Sequence, residues 1–225
     1  MKTNFWLTAS AVLRKDIRAE LRSKELVGVM LLFALLATLI FSFALELDQI
    51  ASREAISGVL WVIVVFASLL GLNRSMSAER EQGSMDALLI APIHRGAIFI
   101  GKFLGNLLFT LLVGVILLPL MTILFDVVLV NVGVFAILSL GVWGVCATGT
   151  LLSAMTAQTR ARESLLPIAM LPVVLPLLLS AVSATNGILN ANPNEDWTGW
   201  LTILIIIDLV YTTLCFLVFE YVLEE

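Results

Sequence analysis

The only imidazole in the 225 residues is His94, and the only thiols are Cys146 and Cys215. Both cysteines fall within long apolar stretches and read as small packing residues, not as a disulfide or a metal pair. Gly96 to Lys102 spells G-x-x-x-x-G-K, the opening of a phosphate-binding loop whose backbone N–H groups cradle phosphates. Here the intervening Ala-Ile-Phe-Ile is bulky, no strand pattern precedes it, and Phe103 stands where Ser or Thr would hold Mg²⁺. The chain therefore shows no ATPase of its own. Asn106 and Asp208 are polar groups inside otherwise apolar stretches. An intramembrane enzyme would need ionisable groups converging at one depth. Asp208 has no histidine, lysine or second acid to meet at that depth, since Asp126 falls near the outer end of its own stretch. No catalytic and no metal-ligating residues are expected.

The elements that must carry these residues are membrane helices. The chain is 60% hydrophobic and 13% charged, about half the charged share usual in soluble domains. A spanning helix needs about 20 apolar residues to cross ~30 Å of hydrocarbon. Six stretches qualify, at about 26–45, 55–73, 103–125, 132–157, 165–185 and 200–222. The first follows a long polar segment and reads as a retained span, not a cleaved signal. The expected fold is an all-α membrane protein, one transmembrane domain over 1–225. Of the 13 lysines and arginines only Arg53 falls on one side of this layout. Lys2, Arg14, Lys15, Arg18, Arg22, Lys24, Arg74, Arg80, Arg95, Lys102, Arg160 and Arg162 fall on the other. Positive charge collects on the cytoplasmic side, so both termini are expected there.

The sixth span holds Asp208, which costs about 2.5–3.5 kcal/mol at a span centre. The Leu, Ile, Val and Phe residues between Leu201 and Val218 return roughly 4–7 kcal/mol, at about 0.3–0.6 each. The span survives, and the carboxyl must face a partner or a wet cavity. Pro119 in the third span and Pro167, Pro172 and Pro176 in the fifth bend their helices. Residues 3–24 are expected to form a basic amphipathic helix at the membrane interface. Trp6, Ala9, Leu13, Ile17 and Leu21 share one face and Arg14, Lys15, Arg18 and Arg22 crowd the rest. The external segments, 46–54 and 186–196, are short, with Trp197 and Trp200 at the interface.

The longest hydrophilic segment is the cytoplasmic loop 74–102, too short for an independent domain. Within it Ser84 to Ile90 reads as a short helix, preceded by Gly83, capped by Ser84 and stopped by Pro92. Its Leu88, Leu89 and Ile90 need a cover, either the membrane or a protein partner.

Glu79-Arg80-Glu81-Gln82-Gly83-Ser84-Met85-Asp86-Ala87-Leu88-Leu89-Ile90-Ala91-Pro92 resembles the E-x-G-[TS]-x-[DE]-x-L-L-x-x-P stretch of ABC-2-type permeases, with Gly101-Lys102 continuing the pattern. Within that group the chain resembles the haem exporter protein B family (CcmB) of cytochrome c maturation. Gly58-Val59-Leu60-Trp61, Ala67 to Leu72 and Arg74 are similar to its second span, and Pro167, Leu171, Pro172, Pro176 and Leu177 to its fifth. The resemblance implies an ABC-2 exporter-like fold and a permease subunit that couples ATP hydrolysis by a separate cytoplasmic ABC ATPase to haem trafficking or release of a haem-loaded chaperone. Glu79, Arg80, Glu81, Gly83, Ser84, Asp86, Leu88, Leu89 and Pro92 would then form the ATPase-coupling segment. Implied partners are the ATPase, a haem-handling membrane protein C, a small protein D, the chaperone E indirectly, and a second membrane half that a copy of this chain could supply. The lipid bilayer surrounds it, and nucleic acid has no place. ATP would sit on the partner and haem would be handled by the complex. Haem carriers use paired axial ligands, usually histidines, and the single His94 gives no such pair. Asp196 to Trp200 resembles the tryptophan-rich haem motif of protein C, but its order differs and no histidines flank it. It reads as an interface belt. The competing reading is an ABC-2 exporter of a lipid, glycan or drug; a passive assembly scaffold is a further one.

Overall fold

The structure, a computed structural model, describes residues 5–45, 49–81, 94–156, 162–190 and 197–222. It contains seven helices among the described residues: α1 Phe5–Ser23, α2 Glu25–Leu45, α3 Gln49–Glu81, α4 Arg95–Phe125, α5 Val132–Thr156, α6 Arg162–Asn190 and α7 Trp197–Val222. Six of them, α2 to α7, are long and apolar enough to cross a membrane. In hydrocarbon each backbone N–H and C=O must be satisfied within its own helix, which is why a chain of this composition has no other secondary structure to offer there.

Successive spans run antiparallel. Contacts pair Met30 of α2 with Gly71 of α3, Thr110 of α4 with Cys146 of α5, and Gly144 of α5 with Leu177 of α6. The middle of the bundle is α3 and α5, and α2 and α7 bury the least of their length. Glycines on α5 receive bulky side chains from three neighbours. A Cβ at Gly141 would strike the Trp61 ring of α3, one at Gly144 would strike Leu177 of α6 and the Asp208 carboxylate of α7, and one at Gly149 would strike Leu72 of α3. Trp61, fully enclosed, donates its indole N–H to Thr185 Oγ1 at 3.0 Å, and Ser57 donates to Asn186 Oδ1 at 2.5 Å. Helices gain little hydrophobic energy from each other in lipid, so these close approaches and interhelical hydrogen bonds hold α3, α5 and α6 together.

Several helices outrun the expected spans. Arg74 to Glu81 continue α3, because Met76, Ala78, Glu79, Arg80 and Glu81 are strong helix formers and the apolar run had only marked where hydrocarbon ends. The expected loop 74–102 also loses its second part. Arg95 to Lys102 form the first turns of α4, where Ile98 and Phe99 pack with Ala154, Cys215 and Phe219. Asn186 to Asn190 belong to α6 and 49–54 to α3, so the segments expected outside are shorter too. The prolines of α6 leave it one continuous helix, and the Tyr211 hydroxyl donates to the Val173 carbonyl, 2.8 Å away, in the turn between Pro172 and Pro176.

α1 is the expected amphipathic helix, apart from the six helices apolar enough to span. The bundle covers part of its apolar face and leaves the rest open. Ala9 docks with Val12 against α4, whereas Trp6 and Leu21 point outward with Leu7. The contact with α4 runs through glycine: Gly101 receives Ala9 and Val12, and Gly105 receives Leu13 and Asp16. The corner to α2 is fixed by Lys24 in the left-handed region at φ 55° and by the Glu20 carboxylate. That carboxylate accepts the N–H groups of Leu26 and Val27 at 3.2 and 2.9 Å, satisfying two orphan donors at the positive end of α2.

Gly141→Ala should destabilise the bundle by about 1–3 kcal/mol, because overpacking at a filled notch forces side chains off their rotamers. Gly58→Ala, where a Cβ meets nothing within 4 Å, should be neutral or stabilising by up to about 1 kcal/mol. Melting temperatures in mild detergent, followed by tryptophan fluorescence, check this contrast; equal effects at the two positions would contradict the packing described.

Candidate functional site

The residues singled out by sequence occupy three separate places. Glu79, Arg80 and Glu81 lie in the last turn of α3. Gly83, Ser84, Asp86, Leu88, Leu89 and Pro92, with the expected helix 84–90, lie outside the described residues. What the structure does give is the pair of stems on either side: the end of α3 before that segment and the start of α4 after it. His94 is the exposed residue preceding α4.

Asn106 lies in the seam between α4 and α5. It is 6% exposed and its Nδ2 donates to Thr150 Oγ1 at 3.1 Å. One turn further on, the Cys146 thiol donates to Thr110 Oγ1 at 3.7 Å. A further turn along, Gly114 meets Leu138. Positions 106, 110 and 114 thus face 150, 146 and 138 in antiparallel order, a narrow seam of small and polar groups. Such interhelical hydrogen bonds are worth about 0.6 kcal/mol each on average in a bundle.

Asp208 lies elsewhere, where α5, α6 and α7 meet. It is 5% exposed, its Oδ1 sits over Gly144, and Leu177 shares the notch. Neither carboxyl oxygen has a hydrogen-bond partner among the described residues. Burying a polar group unpaired costs stability, so this side chain differs from buried hydroxyls such as Thr148, which donates to the Gly144 carbonyl, and Ser180, which donates to that of Pro176. Asn106 and Asp208 therefore occupy different seams. Among the described residues no group of three or more His, Cys, Asp or Glu side chains is placed to hold a metal, and Cys146 and Cys215 are buried free thiols on different helices.

One site escaped the sequence reading. Lys102, counted there only as a topogenic charge, is 2% exposed, and its Nζ lies 3.0 Å from Asp16 Oδ2 of α1. Gly101 and Gly105 flank it, and the G-x-x-x-G spacing was the available signal for a close helix contact. A Cβ at Gly101 would come within 2.7 Å of Val12 Cβ and 2.8 Å of the Ala9 carbonyl oxygen. At the same end Arg74 of α3 pairs with Glu25, the first residue of α2.

The family whose model matches this sequence is described as "CcmB protein", and the match runs over residues 7–224. "Heme exporter protein B" of Rhodobacter capsulatus is 31% identical over 75% of this chain and 78% of its own length. The protein of that name from Bradyrhizobium diazoefficiens is 28% identical over 80% of this chain and 82% of its own. The one from Pseudomonas aeruginosa is 26% identical over 85% and 86%.

Replacing Asp208 by Leu removes two unpaired buried oxygens at nearly constant shape and should raise stability by about 1 kcal/mol or more. Asp208→Asn keeps an unpaired polar group and should leave stability nearly unchanged. Thermal unfolding of the purified chain in detergent decides it, and a clear loss in the Leu variant would show that the carboxyl has a partner.

Proposed function

The chain belongs to the CcmB protein family, and from that premise we propose that it is the membrane permease subunit of a haem-export complex in cytochrome c maturation. In this reading a separate cytoplasmic ABC ATPase hydrolyses ATP. The chain couples that hydrolysis to haem trafficking, or to release of a haem-loaded chaperone E on the outer side, working with a haem-handling membrane protein C and a small protein D. The observation that carries it is the family match across almost the whole chain, residues 7–224. The relatives compared above share one name, "Heme exporter protein B", which favours this cargo system over an exporter of lipid, glycan or drug.

The helices support a non-catalytic, force-receiving role. At 1.5 Å per residue, the 33 residues of α3 extend about 50 Å against ~30 Å of hydrocarbon. Its apolar part ends at Met76, so the turn with Glu79, Arg80 and Glu81 stands clear of the lipid. With the segment 82–93 on the cytoplasmic side, as the lysine and arginine distribution favours, an ATPase pair that closes on ATP would push there. We assign the docking to Leu88 and Leu89, within the stretch that also holds Gly83, Ser84, Asp86 and Pro92. The membrane is the bacterial cytoplasmic membrane, with both termini inside.

In this reading haem is not held by this chain. His94 is single and exposed, and the thiol of Cys146 is enclosed between α4 and α5. Paired axial ligation is left to another subunit of the complex, and ATP to the ATPase.

Gly83→Pro or Leu88→Asp should abolish co-purification of the ATPase from mild detergent while the chain inserts at wild-type level. Recovery of the ATPase at wild-type yield with either variant would overturn the coupling role of this segment.

A further inference from the structure

The first two helices hold both stems of the segment 82–93. Arg74, seven residues before the end of α3 at Glu81, pairs with Glu25 of α2. Lys102, seven residues after the start of α4 at Arg95, pairs with Asp16 of α1. Each contact thus sits about two helical turns, or about 10 Å, from its end of the segment. We propose that the corner formed by α1 and α2 is a clasp on these stems, and that Asp16 and Lys102 are positioning residues that carry movement of the segment into the bundle. The proposal rests on the coupling role argued above and names the residues through which it acts.

The two halves of the clasp differ in strength. Asp16 and Lys102 are 13% and 3% exposed as side chains, whereas Glu25 and Arg74 are 58% and 40% exposed. An exposed pair contributes little and exchanges readily with solvent. A buried one is costly to part. The buried pair is also reinforced by shape: α1 lies with its Ala9 carbonyl against Gly101, and a Cβ at Gly105 would come within 3.5 Å of Asp16 Oδ2. Phe5 and Phe216 close on Gly96 one turn earlier. Motion of the α4 stem must therefore take α1 with it. Glu20 holds the first N–H groups of α2, so the corner between α1 and α2 is where that motion is absorbed. The α3 stem is tied to α2 by the exposed pair and, about one turn away, by Met30 against Gly71, so α2 and α3 move together. A push on the segment is converted into a shift of α4 and α1 against α2 and α3.

The test uses the assembled complex with its ATPase in membranes. Asp16→Asn and Lys102→Met should insert normally, retain the ATPase and keep hydrolysing ATP, while holocytochrome c formation falls at least tenfold. The charge-swapped double variant, Asp16→Lys with Lys102→Asp, should restore at least half of it, and Glu25→Gln should lose less than twofold. Wild-type holocytochrome formation in either single variant overturns the proposal. So does loss of the ATPase in the single variants, or a double variant that stays as impaired as the singles. Singles that fail to insert while the double inserts would show a purely structural pair and overturn it as well. A Leu88→Asp control run in parallel separates the two levels: an ATPase that stays bound to it refutes the coupling segment, whatever the clasp variants do.

Discussion

Helices in hydrocarbon have no hydrophobic reason to prefer each other over lipid, so a membrane bundle stands on how closely its backbones can approach. In this chain that constraint is met on α5. Gly141, Gly144 and Gly149 open successive notches, filled by Trp61 and Leu72 from α3, by Leu177 and Met170 from α6, and by Asp208 from α7. One helix is thereby keyed to three others, and the bonds from Trp61 to Thr185 and from Ser57 to Asn186 tie two of those three directly. The consequence is an uneven bundle. Among the described residues α1 and α2 pack only on each other and on α3 and α4, outside the hub that α5 organises.

That unevenness assigns different work to the buried polar groups. In the α4–α5 seam each is paired, Asn106 with Thr150 and Cys146 with Thr110, and the seam can be read as cohesion. Asp208 is in the hub and is not paired among the described residues. A group that costs stability where the surrounding helices are most tightly keyed is the kind of local exception that functional sites produce. Its neighbours Gly144 and Leu177 belong to two different helices, so any reorganisation of α5 against α6 changes its surroundings directly.

The spans were legible in the sequence because length and apolarity alone decide them, and the family resemblance in residues 58–102 is met by a family match across the chain. Three things were not legible. Arg74 to Glu81 carry no apolar signal, and the short apolar run 97–100 is cut off from the third span by Gly101 and Lys102, so both stretches read as loop although they form helix. Periodicity gave the apolar face of α1 but not which part of it docks: Ala9 is covered by α4, whereas Trp6 and Leu21 stay exposed. Partner choice is also invisible to periodicity. Lys102 counted as one charge among twelve on the positive side, and nothing in its neighbourhood except Gly101 and Gly105 announced that Asp16, far earlier in the chain, would meet it. The segment with Gly83, Ser84 and Leu88 lies outside the described residues, and its role stands on the resemblance and the stems.

The depth of the clasp follows from the same physics as its strength. A lysine and an aspartate placed in the middle of a span would each carry a desolvation cost that their attraction barely repays. Placed fully in water, they would contribute almost nothing. The edge of the hydrocarbon is the one level where a pair can be enclosed by Ala9, Val12 and the glycines of α4 yet remain within reach of the interface. It is also the level at which positive residues gather to set topology. Lys102 with Asp16 meets the demand for enclosure, whereas Arg74 with Glu25, at the same end of the bundle, stays exposed.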